Sequence, residues 1–194
     1  SIIPNLPKKT WNDFKSNNVA SNIELIENLI LKDISENLES LNPKKLCIAL
    51  SGGVDSTLIL SLIRKLNPDI NIEAISIKFA NSVDETSNAS KIADKFEANH
   101  NIIYLDNYLS EMPQAIYKIK KPFWDLHWYY VAKESQSFSN ILASGDGGDE
   151  IFGGYTFRYK KFLSLTNSNS TPLEKVKAYL SCHERDRVPD QELL

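Results

Sequence analysis

Over residues 46–143 short apolar runs alternate with longer segments whose apolar residues recur every three or four positions. Residues 46–50, Leu-Cys-Ile-Ala-Leu, form one unbroken run, the pattern of a strand covered on both faces. Leu58, Ile59, Leu62, Ile63 and Leu66 follow at helical spacing. A second run, 74–79, precedes the helical set Ala89, Ile92, Ala93 and Phe96. A third, 101–105, precedes helical stretches over 112–119 and 125–138, and a fourth, 141–143, leads into a glycine-rich turn and a helix through Phe162. Parallel neighbours need crossover connections, so this alternation predicts an α/β fold: a doubly wound, mostly parallel sheet with helices on both faces.

The flanks are simpler. Residues 1–43 are expected to be an N-terminal arm and a helix, with Ser21 and Glu24 as a capping box and Ile26, Ile30, Ile34 and Leu38 on one face. Residues 44–163 are the expected core. Residues 164–194 read as a linker and a helix opened by Thr171-Pro172-Leu173-Glu174 and running to about Arg185.

Composition narrows the function classes. With 42% hydrophobic and 24% charged residues in 194, wholesale disorder is excluded. Twenty-two Lys and Arg against 25 Asp and Glu give a net charge of -3, which argues against a dedicated nucleic-acid binder. No run approaches the roughly 20 apolar residues of a membrane span, and no secretory signal opens the chain, so no membrane partner is expected. Cys47 and Cys182 make neither a disulfide framework nor a metal-ligand pair; a reducing, cytoplasmic setting is expected, with Cys47 a small buried hydrophobe.

Two loops carry chemistry. Ser51-Gly52-Gly53-Val54-Asp55-Ser56 joins the first strand to the next helix, on the side of an open α/β sheet where ligands bind. The glycines admit a phosphate close to the backbone, the helix start presents N–H groups, and Ser51 and Ser56 add hydroxyls. Asp55 beside a polyanion calls for a divalent cation between them, so it reads as a magnesium ligand. The GK[ST] triphosphate loop has no match. Residues 51–56 resemble the pyrophosphate-binding loop of the ATP pyrophosphatases, the PP-loop family with an adenine nucleotide alpha hydrolase-like fold. The resemblance implies ATP as the bound nucleotide.

The second loop, residues 144–155, follows the fourth strand and sets Asp146, Asp149 and Glu150 among glycines. If the first and fourth strands are neighbours, Asp149 can face Asp55 across one metal. The Gly153-Gly154 pair suggests a geometric demand at the helix. This stretch resembles the asparagine synthetase signature, shared with β-lactam synthetases, although many members carry Glu where Asp146 stands. The resemblance covers about residues 45–162. It implies magnesium on Asp55 and Asp149, with Asp146 as a further catalytic carboxylate. Pyrophosphate would lie on Ser51, Gly52, Gly53 and Ser56, the ribose or adenine near Ser144 and Gly145, and Ala49, Leu50 and Ile77 would complete the nucleotide site.

The implied reaction is ATP-dependent amide formation. A carboxylate is adenylated, pyrophosphate leaves, and an amine displaces AMP. Aspartate with ammonia, giving asparagine, is favoured; ring closure on another carboxylate, activation of a tRNA base and a non-catalytic nucleotide-binding subunit are the alternatives. Full asparagine synthetases open with a glutaminase domain bearing an N-terminal Cys nucleophile, whereas this chain opens at Ser1 and is expected to lack that domain. Ammonia, another amine or a separate glutaminase is then the nitrogen source, and a homo-oligomer stays open. The family also draws a lysine from C-terminal helices. None of Lys160, Lys161, Lys175 or Lys177 maps onto it, so the C-terminal part is expected to be incomplete.

Other residues have blander expectations. Trp124, Trp128 and Val131 read as a core-facing helical stripe, and His127 beside them as structural rather than substrate-binding. Asp84-Glu85 reads as a helix cap, Lys118, Lys120 and Lys121 as a solvated face, and His100 and His183 as too far apart for a metal site.

Overall fold

The computed structural model describes residues 23–80, 84–121, 123 and 125–182. Ser21, Trp124, His183 and the expected helix end at Arg185 lie outside them. The elements in chain order are α1 (Ile23–Leu41), β1 (Lys45–Ala49), α2 (Val54–Leu66), β2 (Asn71–Phe79), α3 (Thr86–Lys95) and β3 (Asn99–Leu105). Then follow α4 (Met112–Ile119), α5 (His127–Ser135), β4 (Leu142–Ala143), α6 (Gly148–Phe152), α7 (Thr156–Leu165) and α8 (Pro172–Ser181).

The four strands pair in parallel in the order β3-β2-β1-β4. Ile48 is opposite Ala74 on one side and Ala143 on the other, which makes β1 the central seam. Its consecutive burial follows from cover on both faces. Leu46, Ile48 and Leu50 pack with Leu60 and Ile63 of α2, Ala89 and Ala93 of α3, and Ile34 and Leu38 of α1. Cys47 and Ala49 point the other way, into a layer with Ile75, Trp128 and Val131. Ile77 and Ile103 extend that second layer to Ala115 of α4 and Tyr130 of α5. The sheet grows from β1 to β3 with helices on one face. It then reverses, and the chain returns over the opposite face to reach β4, as right-handed crossovers require. The doubly wound α/β expectation holds.

Three expectations need adjustment. β2 and β3 begin earlier than their apolar runs, at Asn71 and Asn99, because Glu73, Asn99 and Asn101 satisfy one another's polar groups at that end. The aromatic helix opens at His127 rather than Asp125 and closes at Ser135 rather than Phe138. The single helix expected through Phe162 is two, broken where Gly153 adopts φ +72 at the end of α6. At α8 the expected capping box is formed: Glu174 N–H donates to Thr171 Oγ1 at 3.3 Å, and Thr171 N–H donates to Glu174 Oε2 at 2.8 Å. Among the described residues no helix is long and apolar enough to cross a membrane.

Candidate active site

Strand order reverses at β1, so the crevice beyond the carboxyl ends of β1 and β4 is the switch point at which open α/β sheets bind ligands. Both chemistry-bearing loops emerge there. In the first, Gly52 sits at φ +78, and its carbonyl accepts a bond from Asn88 Nδ2 of α3 at 2.9 Å. Ser51 Oγ accepts from Gly53 N–H at 3.2 Å and lies 3.2 Å from Ser56 Oγ. Gly53 caps α2 without a side-chain bond, so the first-turn N–H groups and their partial positive charge are left for an external acceptor.

The second loop lies directly on this helix start. A side-chain carbon at Gly145 would stand 2.6 Å from both the Asp55 carbonyl carbon and the Ser56 nitrogen. One at Gly148 would stand 2.6 Å from the Asp55 carboxyl carbon. Only glycine lets the two loops meet. The Asp55 carboxylate therefore rests on the first residue of α6, next to Asp149. The Asp149 carboxylate is folded over Gly154, in the space a side chain there would take.

Between the loops is a cleft of about 370 Å³. Ala49, Leu50, Ser51, Asp55, Ser56, Ile77, Gly145 and Asp146, all singled out from the sequence, line it. Gly52 and Gly53 line a neighbouring recess with Ser51, Asp84, Glu85 and Asn88. Ser144 and Asp149 line neither; Ser144 Oγ instead accepts a bond from Asp146 N–H at 3.4 Å. The two loops are thus together, while the Asp149 carboxylate is turned to Gly154 rather than into the cleft.

Burial of the Asp146 carboxyl pushes its pKa above the ordinary value; His127 opposes the rise, and Asp125 and Glu150 add to it. His127 Nδ1 is paired with the Asp125 carboxylate, and its ring lies 5.1 Å from that of Trp128. Among the described residues no cluster of three or more His, Cys, Asp or Glu side chains is gathered for a metal. Magnesium asks for less, since it keeps several waters and binds through one or two carboxylates plus phosphate oxygens. Asp55, lining the cleft at the helix start, fits that demand.

Sequence reasoning passed over several lining residues. His127 was expected to be structural, yet it faces the cleft, as does Trp128, which also packs under the sheet. Glu85, the cap residue of α3, makes no side-chain cap bond and instead lines the cleft beside Thr86, while Asp84 Oδ1 accepts from Thr86 N–H at 3.1 Å. Ser76 was missed altogether. The signal was there: one hydroxyl inside an otherwise apolar run, Ile75-Ser76-Ile77.

Residues 40–192 match the asparagine synthase family model. The chain is 29% identical over 135 residues to asparagine synthetase (glutamine-hydrolyzing) 1 of Bacillus subtilis, covering 68% of this chain and 20% of that one. It is 25% identical over 142 residues to the NH(3)-dependent NAD(+) synthetase of Malacoplasma penetrans, covering 68% and 57%. Among solved structures it is similar to NMN synthetase from Francisella tularensis, with a TM-score of 0.49, 18% identity and coverage of 70% and 59%. The chain spans about a fifth of the length of the Bacillus relative.

Proposed function

The chain belongs to the asparagine synthase family, and from that premise we propose that it adenylates a carboxylate with ATP and passes the acyl group to an amine. Aspartate and ammonia are the favoured pair. One observation carries the reading: Gly145 packs against the Asp55–Ser56 backbone, so both loops border one cleft at the strand-order reversal.

In this reading the N–H groups opening α2, with Ser51, Gly52, Gly53 and Ser56, take the pyrophosphate end of ATP. Ala49, Leu50 and Ile77 form the apolar wall for the adenine, and Gly145 borders the ribose, while Ser144, outside the cleft lining, holds the Asp146 N–H. Asp55 would hold magnesium, joined by Asp149 once its carboxylate turns from Gly154 into the cleft, and the cation would supply charge neutralisation on the phosphate oxygens. The substrate carboxylate oxygen attacks the α-phosphorus and the bond to pyrophosphate breaks. The amine nitrogen then attacks the acyl carbon, the carbon–oxygen bond to AMP breaks, and Asp146 accepts the amine proton. Its raised pKa brings it closer to that task than an ordinary aspartate.

The test is exchange of labelled pyrophosphate into ATP by the intact protein. Exchange that requires aspartate is expected. Exchange that requires tRNA instead, or tight ATP binding with no exchange under any carboxylate, would replace the proposed reaction.

A further inference from the structure

One linked set of polar groups lies beneath the nucleotide loop and has no part in the chemistry above. Ser76 Oγ is 2.5 Å from the Leu50 carbonyl and 2.8 Å from His100 Nε2, and His100 Nδ1 is 2.8 Å from Ser90 Oγ. The proton directions follow from the end of the chain. A carbonyl only accepts, so the single Ser76 proton goes to Leu50. Ser76 Oγ must then accept from His100 Nε2–H, which leaves Nδ1 to accept from Ser90. The neutral ring satisfies every bond. Burial pushes the His100 pKa down, with Asp94 opposing it more weakly, so the neutral form prevails at pH 7.

We infer that Ser76 and His100 are positioning residues for ATP, acting through the peptide that joins Leu50 to Ser51. That peptide is planar, so its carbonyl and the Ser51 N–H turn together. Ser76 holds the carbonyl, and the N–H donates to Ser56 Oγ at 3.4 Å, inside the phosphate loop. Leu50, Ser51 and Ser76 all line the cleft. The relay thus transmits the positions of α3, β3 and β2 to the first peptide of the loop, and a hydroxyl inside the apolar β2 run has its reason. The Ser76 side chain is buried, so its oxygen must keep a partner.

The inference rests on ATP occupying this cleft, and ATP affinity of the intact protein, measured by titration well below the unfolding midpoint, tests it. Ser76→Ala and His100→Ala are each expected to weaken ATP binding about fivefold, the effect of one net hydrogen bond. Ser76→Thr, which keeps the hydroxyl, and His100→Gln, whose amide can donate to Ser76, are expected to stay within about twofold. The double alanine variant should be no weaker than Ser76→Ala alone, because both act on one carbonyl. Single variants that bind ATP like the wild type while unfolding earlier would overturn the inference, as would losses that multiply in the double variant. Wild-type protein that binds ATP but exchanges no pyrophosphate defeats the proposed reaction alone, since affinity and turnover are read separately.

Discussion

Glu73 stands at the amino end of β2 and Asp146 beyond the carboxyl end of β4, and their surroundings shift their pKa values in opposite directions. Glu73 is only 4% exposed. Burial alone would raise its pKa, yet bonds from Asn101 Nδ2 at 2.9 Å, Asn99 Nδ2 at 3.2 Å and Lys45 Nζ at 3.1 Å together outweigh it and lower the value. Asp146 has burial, Asp125 and Glu150 raising it, with His127 alone pulling the other way. Among the described residues no lysine or arginine lines the cleft, while Asp55, Glu85 and Asp146 do. One end of the sheet completes its own charges. The other leaves acid groups uncompensated, which suits a site that receives a cation with its ligand.

This contrast is open to attack, beginning where the effect is largest. Asp55→Asn should reduce pyrophosphate exchange by roughly 100-fold or more, as losing one charged group at a phosphoryl-transfer site does. Its unfolding midpoint should stay near that of the wild type; a variant that exchanges normally would remove Asp55 from the cation site. Glu73→Ala should do the reverse, lowering stability in chemical unfolding by about 2 kcal/mol, because Asn99, Asn101 and Lys45 lose their acceptor. ATP affinity should hardly move.

The acid side sharpens the same point. The folded-state pKa of Glu73 lies below its ordinary 4.5, so its stabilising contribution is complete above that value and fades as pH falls through the folded one. Unfolding followed from pH 6 to pH 3 should therefore show a steeper loss for the wild type than for Glu73→Gln. The smallest expected effect belongs to Cys47. It is fully buried, its Sγ lies 3.5 Å from the Ser135 carbonyl, and burial raises its thiol pKa. Cys47→Ala should cost about 1 kcal/mol of stability and leave ATP binding unchanged.

Legibility in the sequence differs from residue to residue. The Leu46 and Ile48 run announces a doubly covered strand because burial on both faces removes the polar alternation a half-exposed strand would show. The capping box at Thr171 and Glu174 is equally local, and it forms as expected. The break at Gly153 is harder, since a glycine pair beside apolar residues can continue a helix or end it; at φ +72 Gly153 ends α6, and the Gly153 and Gly154 N–H groups both donate to the Asp149 carbonyl. His127 carries no pattern that distinguishes a cleft wall from a packed interior, and the lone hydroxyl of Ser76 in its apolar run marks a polar demand without saying where it faces. Their exposure to the cleft depends on which neighbours stop short.

Periodicity, the two glycine loops and the family resemblance they carry were enough to assign the parallel α/β architecture and to mark eight of the seventeen residues lining the cleft, because each such signal lies within a few positions along the chain. The meeting of residues 51–56 with residues 144–149 depends instead on β4 pairing beside β1, across almost a hundred positions. Side-chain direction is decided at the same level. Asp55 lies on Gly148 because of how the starts of α2 and α6 are stacked, and no spacing along the chain encodes that stacking.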